Sequence, residues 1–116
     1  MLKEKIEEIE LNIEQAKTIV ALGNAMERLS NNRDFKKVIV EGFFEKEAIR
    51  LVHLKSDFNM QNPEAQASIA SQMDSIGNLA QYFNKVINQG MLAEKAIQSD
   101  EETRDELLAD RKSTRL

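Results

Sequence analysis

Apolar residues in the first third of the chain fall in strict four-three alternation: Leu2, Ile6, Ile9, Ile13, Ala16 and Val20. That spacing draws one narrow stripe along a helix, the seam of a coiled coil, narrower than the face of a globular helix. A seam needs another helix, so the stripe predicts association. From Ile19 the spacing predicts a change of phase, with Ile19, Leu22, Met26 and Leu29 turning the stripe around the helix. A first helix is therefore expected from Leu2 to Leu29, a stem over 1–20 that hands over to a packed body. Ser30-Asn31-Asn32 ends it and offers a cap to the next helix.

A second helix is expected from Arg33 to Ser56. Phe35, Val38, Ile39, Phe43, Phe44, Ala48, Leu51, Val52 and Leu54 cover more than half its circumference, which predicts a helix sandwiched between partners. Gly42 costs about 1 kcal/mol against Ala in such a place, and close approach of a neighbouring helix is the expected reason. Asn62, Pro63 and Glu64 then supply an N-cap, a proline at the first helical position and an acid that complements the dipole. The four-three pattern resumes at Ile69, Met73, Ile76, Ala80, Phe83, Ile87 and Gly90, and Glu94 breaks it before Ile97. This predicts a third helix of roughly 35 residues. Ser99-Asp100-Glu101-Glu102 reads as a capping box that opens a last short acidic helix, followed by a basic tail from Arg111 to Leu116.

The expected fold is all-α: a coiled-coil-like first helix, a central apolar helix and a long third helix in an elongated antiparallel bundle, then a short last helix. Residues 1–97 form the domain, with a bundle over 21–97, and 98–116 are an appendage. The second helix is too short to cover both apolar stripes, and another copy of the chain is the simplest cover. The expected oligomer interface is Leu2, Ile6, Ile9, Ile13 and Val20 on the first helix, with Ile69, Met73, Ile76, Phe83 and Ile87 on the third.

Composition agrees with long exposed helices. The chain has 116 residues, one domain's worth, with 31% charged residues, four glycines and one proline. Aromatics are 5%, so the core must be aliphatic and methionine-rich. Without cysteine there are no disulfides and no thiol chemistry. No apolar run reaches the roughly 20 residues of a membrane span. The acidic start MLKEKIEEIE is unlike a signal peptide, so a cytoplasmic protein without membrane contact is expected.

Chemistry-bearing arrangements are few. His53 is the sole histidine, no histidine-containing ligand pair exists, and glycine-rich phosphate loops are missing. No enzyme activity, catalytic residue, metal or cofactor is expected. The net charge of −4 makes nucleic acid an unlikely partner. The acidic run Glu4, Glu7, Glu8, Glu10 and Glu14 reads as a solvated flank of the stem. One charge arrangement stands out: Lys46, Arg50 and His53, four and three apart on one helix face, where like charges repel. Arg33, Lys36 and Lys37 form a second cluster at the helix start, against the dipole. Both readings stay open, an anionic partner or pairing with the acidic stem. Phe43-Phe44 and Tyr82-Phe83 put one ring of each pair in a core and leave the other for a second interface.

The segments ERLSNNRDFKKVIVEGFFEKEAIRLVHLKSD, NPEAQASIASQMDSIGNLAQYF and SDEETRDELLAD resemble a family of small helical proteins of tailed bacteriophages, often encoded near head-assembly genes. The resemblance spans about residues 20–110, and family members usually carry more acidic residues where this chain has Arg111 to Leu116. It implies a non-enzymatic oligomeric assembly or virion-associated protein with a protein partner, located in the host cytoplasm or the virion. The alternative is a phage-encoded inhibitor or sponge that holds a host defence protein or a nucleotide ligand.

Overall fold

A computed structural model describes residues 1–114, with side chains as far as Arg111. Of the expected basic tail, Arg115 and Leu116 lie outside the described residues. Helix α1 spans Leu2–Ser30. Helix α2 runs over 33–56 in three consecutive parts: an α-helical turn at Arg33–Phe35, a π-helical stretch at Lys36–Glu47 and α-helix again at Ala48–Ser56. A short 3-10 turn at Phe58–Met60 leads to α3, Pro63–Thr114, a single helix of 52 residues. Among the described residues there is no strand. The chain folds as two compact units, one made of Met1–Met26 with the chain from Val86 onward, the other of Glu27–Lys85.

In the first unit each helical segment buries its stripe on the other. Ile6 and Ile13 of α1 are buried, as are Val86 and Ala93 of α3. Leu2, Ile9, Ala16 and Val20 are half-buried between them. The change of phase expected at Ile19 does not occur there. Gly23, next in the original register, is buried, while Ile19 and Leu22 remain 42% and 52% exposed. The cause is local: a Cβ built on Gly23 would stand 3.1 Å from Gly90 Cα, so backbone meets backbone and a larger residue would have to push the two helices apart by a few tenths of an ångström. Only Met26, three residues on, leaves the four-three spacing and is buried.

The expected end of the long helix near Ile97 is also corrected. Glu94 is exposed because the stripe steps by one residue to Ala93, then continues half-buried through Ile97, Asp100, Arg104 and Leu107. Ser99 opens no new helix. Its carbonyl accepts a hydrogen bond from Thr103 Oγ1 at 3.0 Å, a bond of helix interiors. A capping box needs a non-helical backbone before it, and 91–98 contain neither Gly nor Pro to supply one. Residues 98–114 are therefore part of α3 and of the first unit, not a separate helix.

The second unit is built around Leu51, Ile69 and Ile76, of which the first two are 0% and 1% exposed. Phe43, Phe44, Ala48, Leu54, Met60 and Met73 pack on them. Phe83 joins the ring of Phe35 at 5.6 Å and that of Phe44 at 5.9 Å, separations typical of favourable aromatic pairs. Phe35, Ile39, Phe44 and Ala48, all half-buried, are four, five and four residues apart. An α-helix of 3.6 residues per turn would rotate this set off one face. The wider i→i+5 winding keeps it together.

Two expectations about α2 fail here. Val38, Ile49 and Val52 are each more than half exposed, so only part of the apolar surface of α2 is buried. Gly42 is not approached by a neighbouring helix: the single atom within 4 Å of a built Cβ is Lys37 O, one wide turn back, at 3.3 Å. The caps hold as read. Asn32 Oδ1 accepts from Phe35 N at 2.9 Å, and Asn62 Oδ1 accepts from Ala65 N at 2.8 Å. Gln66 Nε2 donates to the carbonyls of Lys55 and Met60, tying the 57–62 turn to the start of α3.

Candidate functional site

The residues expected at an oligomer interface are largely covered by the chain itself. Ile6, Ile13, Ile69 and Ile76 are buried, and Leu2, Ile9, Val20, Met73, Phe83 and Ile87 half-buried. Beside the seam, the first unit leaves further apolar side chains exposed. Ala16, Ile19, Gln89, Leu92, Ala93 and Ala96 line an open groove of about 380 Å³, with Ile19 42% and Leu92 65% exposed. A stripe one residue out of phase with the seam, Ile19 and Leu22 beside Val20 and Gly23, was the sequence signal for it. It was legible as a rotation of the stripe but is a second face.

Lys46, Arg50 and His53 are all exposed on α2. The structure takes Arg50 out of the proposed cation face. Its Nε donates to both carboxylate oxygens of Glu47, at 3.2 and 3.0 Å, and its Nη2 donates to Glu47 Oε1. The partner is one turn back on the same helix, not on the acidic stem. Hydrogen bonding from Arg50, reinforced by its charge, holds the Glu47 carboxyl below the ordinary range, and the same bond pushes the Arg50 guanidinium further up. The face that remains is Lys46 and His53 around a neutralised pair.

The second cluster is better formed. Arg33, Lys36 and Lys37 surround a cleft of about 370 Å³, together with Asn31 and Glu41. Their three-four spacing at the start of α2 sets the cations side by side, and the π-helical winding places Glu41 one wide turn after Lys36. Among the described residues none of these three cations lies within ion-pair distance of a carboxylate. Asn32 caps the helix beneath them. A third cleft, of about 340 Å³, lies in the first unit between Lys5, Glu8, Ile9 and Asn12 on α1 and Thr103 and Leu107 on α3.

Among the described residues no group of three His, Asp or Glu side chains is placed to hold a metal ion, and no helix is long and apolar enough to cross a membrane. No family model, curated protein or solved structure matches the chain.

Proposed function

We propose that this chain is a non-enzymatic assembly protein of a tailed bacteriophage, acting as a homo-oligomer that docks on a larger protein particle in the host cell or virion. The carrying observation is the groove of the first unit, where Ile19 and Leu92 stand exposed beside the small residues Ala16, Ala93 and Ala96. Exposed aliphatic clusters of this kind mark contact surfaces. Large side chains next to small ones on one face also suit a two-fold contact, in which each copy inserts its own ridge into the other's groove. Within each unit the numbering rises along one helix as it falls along the other: Lys5 and Glu8 lie beside Thr103 and Leu107 while Gly23 meets Gly90, and Phe35 meets Phe83 while Leu51 packs with Ile69. Those pairings support antiparallel packing, which leaves the flanks of the seam free for a second copy.

Sedimentation equilibrium tests the reading. The mass should rise with concentration towards a defined oligomer, and Leu92→Glu should return it to the monomer with helix content unchanged. A parent protein that stays monomeric at high concentration overturns the proposal. Mass spectrometry of purified virions then asks whether the chain travels with the particle.

A further inference from the structure

Three cations converge on one concavity near the start of α2, and among the described residues none of them forms an ion pair. Arg33, Lys36 and Lys37 line the cleft with Asn31 and Glu41. Placed here they repel one another and oppose the helix dipole, both of which disfavour the helix. An anion in the cleft would reverse both terms.

The charge and size of the cleft select the anion. Three cations less the Glu41 carboxylate leave a lining of +2, which complements the charge of −1.5 to about −2 that a phosphate monoester carries at neutral pH. The cleft is open, and its volume of about 370 Å³ has room for a phosphate with part of the molecule that carries it. A polynucleotide would need cations continuing along a track. Instead the next charged residues on α2 are Glu41, Glu45, Lys46 and Glu47, and Arg50 is already paired. We propose that this cleft binds the terminal phosphate of a small phosphorylated molecule. Arg33 offers a fork of donors for two phosphate oxygens, and Lys36 and Lys37 act as point charges. Glu41 accepts a hydrogen bond from a hydroxyl or amino group of the same molecule. The site shares no residue with the self-association groove, so failure of either reading leaves the other intact.

Isothermal titration at low ionic strength, with adenosine 5′-monophosphate, inorganic phosphate and adenosine as probes, tests the site. Saturable binding of the monophosphate is expected, weaker binding of phosphate and none of adenosine. Arg33→Gln and the pair Lys36→Gln with Lys37→Gln should each weaken binding by about tenfold or more, the effect of losing a charge-assisted bond. Glu41→Gln should tighten binding of inorganic phosphate, and Arg50→Gln should leave all affinities unchanged. If a variant loses its helical signal, chemical-shift changes at the amides of 31–41 in the parent protein decide the location. Absence of saturable binding, binding indifferent to these substitutions, or tighter binding of a single-stranded oligonucleotide than of the monophosphate would overturn the proposal.

Discussion

Gly23 of α1 and Gly90 of α3 touch backbone to backbone: a Cβ on either residue would lie 3.1 Å from the other's Cα. The atom that a Cβ would meet is main chain, so relief needs a shift of a whole helix by a few tenths of an ångström. Replacing Gly23 or Gly90 with Ala gains up to about 1 kcal/mol of helix propensity but forces the helices apart, a strain of roughly 1–3 kcal/mol. Gly77, also within α3, has nothing within 4 Å of its built Cβ. Thermal melts should therefore separate the two positions: Gly23→Ala lowers the midpoint and Gly77→Ala raises it. Equal gains at both would show that the crossing is not tight.

The core of the second unit makes a sharper contrast on neighbouring residues. Leu51 is fully buried against Ile69 and Ile76, whereas Val52 is 55% exposed. Leu51→Ala should cost about 2–5 kcal/mol through lost burial and a residual cavity. Val52→Ala should stay within about 0.5 kcal/mol. Urea unfolding monitored by circular dichroism gives both numbers, and a large loss at Val52 in dilute protein would mean that this face is covered.

Capping gives a third test, because two similar motifs have opposite fates. Asn62 Oδ1 holds the Ala65 amide at 2.8 Å, so Asn62→Ala should cost about 1 kcal/mol. Ser99 sits inside α3 and caps nothing. Ser99→Ala should be neutral or slightly stabilising, by a few tenths of a kcal/mol of propensity. A loss at Ser99 comparable to that at Asn62 would place a helix start there.

The Glu47–Arg50 pair has a defined pH signature. Glu47 is held below its ordinary pKa by the hydrogen bonds from Arg50, so the pair adds stability above the unfolded carboxyl's pKa. That contribution disappears as pH falls through the lower, folded value. Arg50 stays charged throughout and adds no pH dependence of its own in this range. Carbon-detected NMR titration should show the Glu47 midpoint rising in Arg50→Gln. An unmoved midpoint would mean that the pair does not form in solution.

Much of the fold was legible because it rests on short-range rules. The start of α2 at Arg33, the start of α3 at Pro63 and the Leu2-to-Val20 stripe follow from caps and periodicity, which act over one or two turns. The cluster Arg33, Lys36 and Lys37 was likewise visible, since residues three and four apart on a helix are neighbours whatever the rest does. The cleft beside it was not, nor was the diversion of Arg50 to Glu47. The sequence offers Arg50 many carboxylates, and only the folded geometry chooses between them.

The chain alone determined helices, their first caps and which stripe along each is apolar, because backbone hydrogen bonding and side-chain periodicity are local. Tertiary structure decided which stripe is used. Gly23 continued the seam past Ile19 because α3 offered Gly90 at the same height, a match between residues far apart in sequence. Burial of one stripe left Ile19, Leu22 and Leu92 outside. The wide winding of α2 likewise follows from the need to keep Phe35 and Phe44 together on Phe83. Each of these choices depends on what the second surface presents, and a helix read by itself carries no record of its partner.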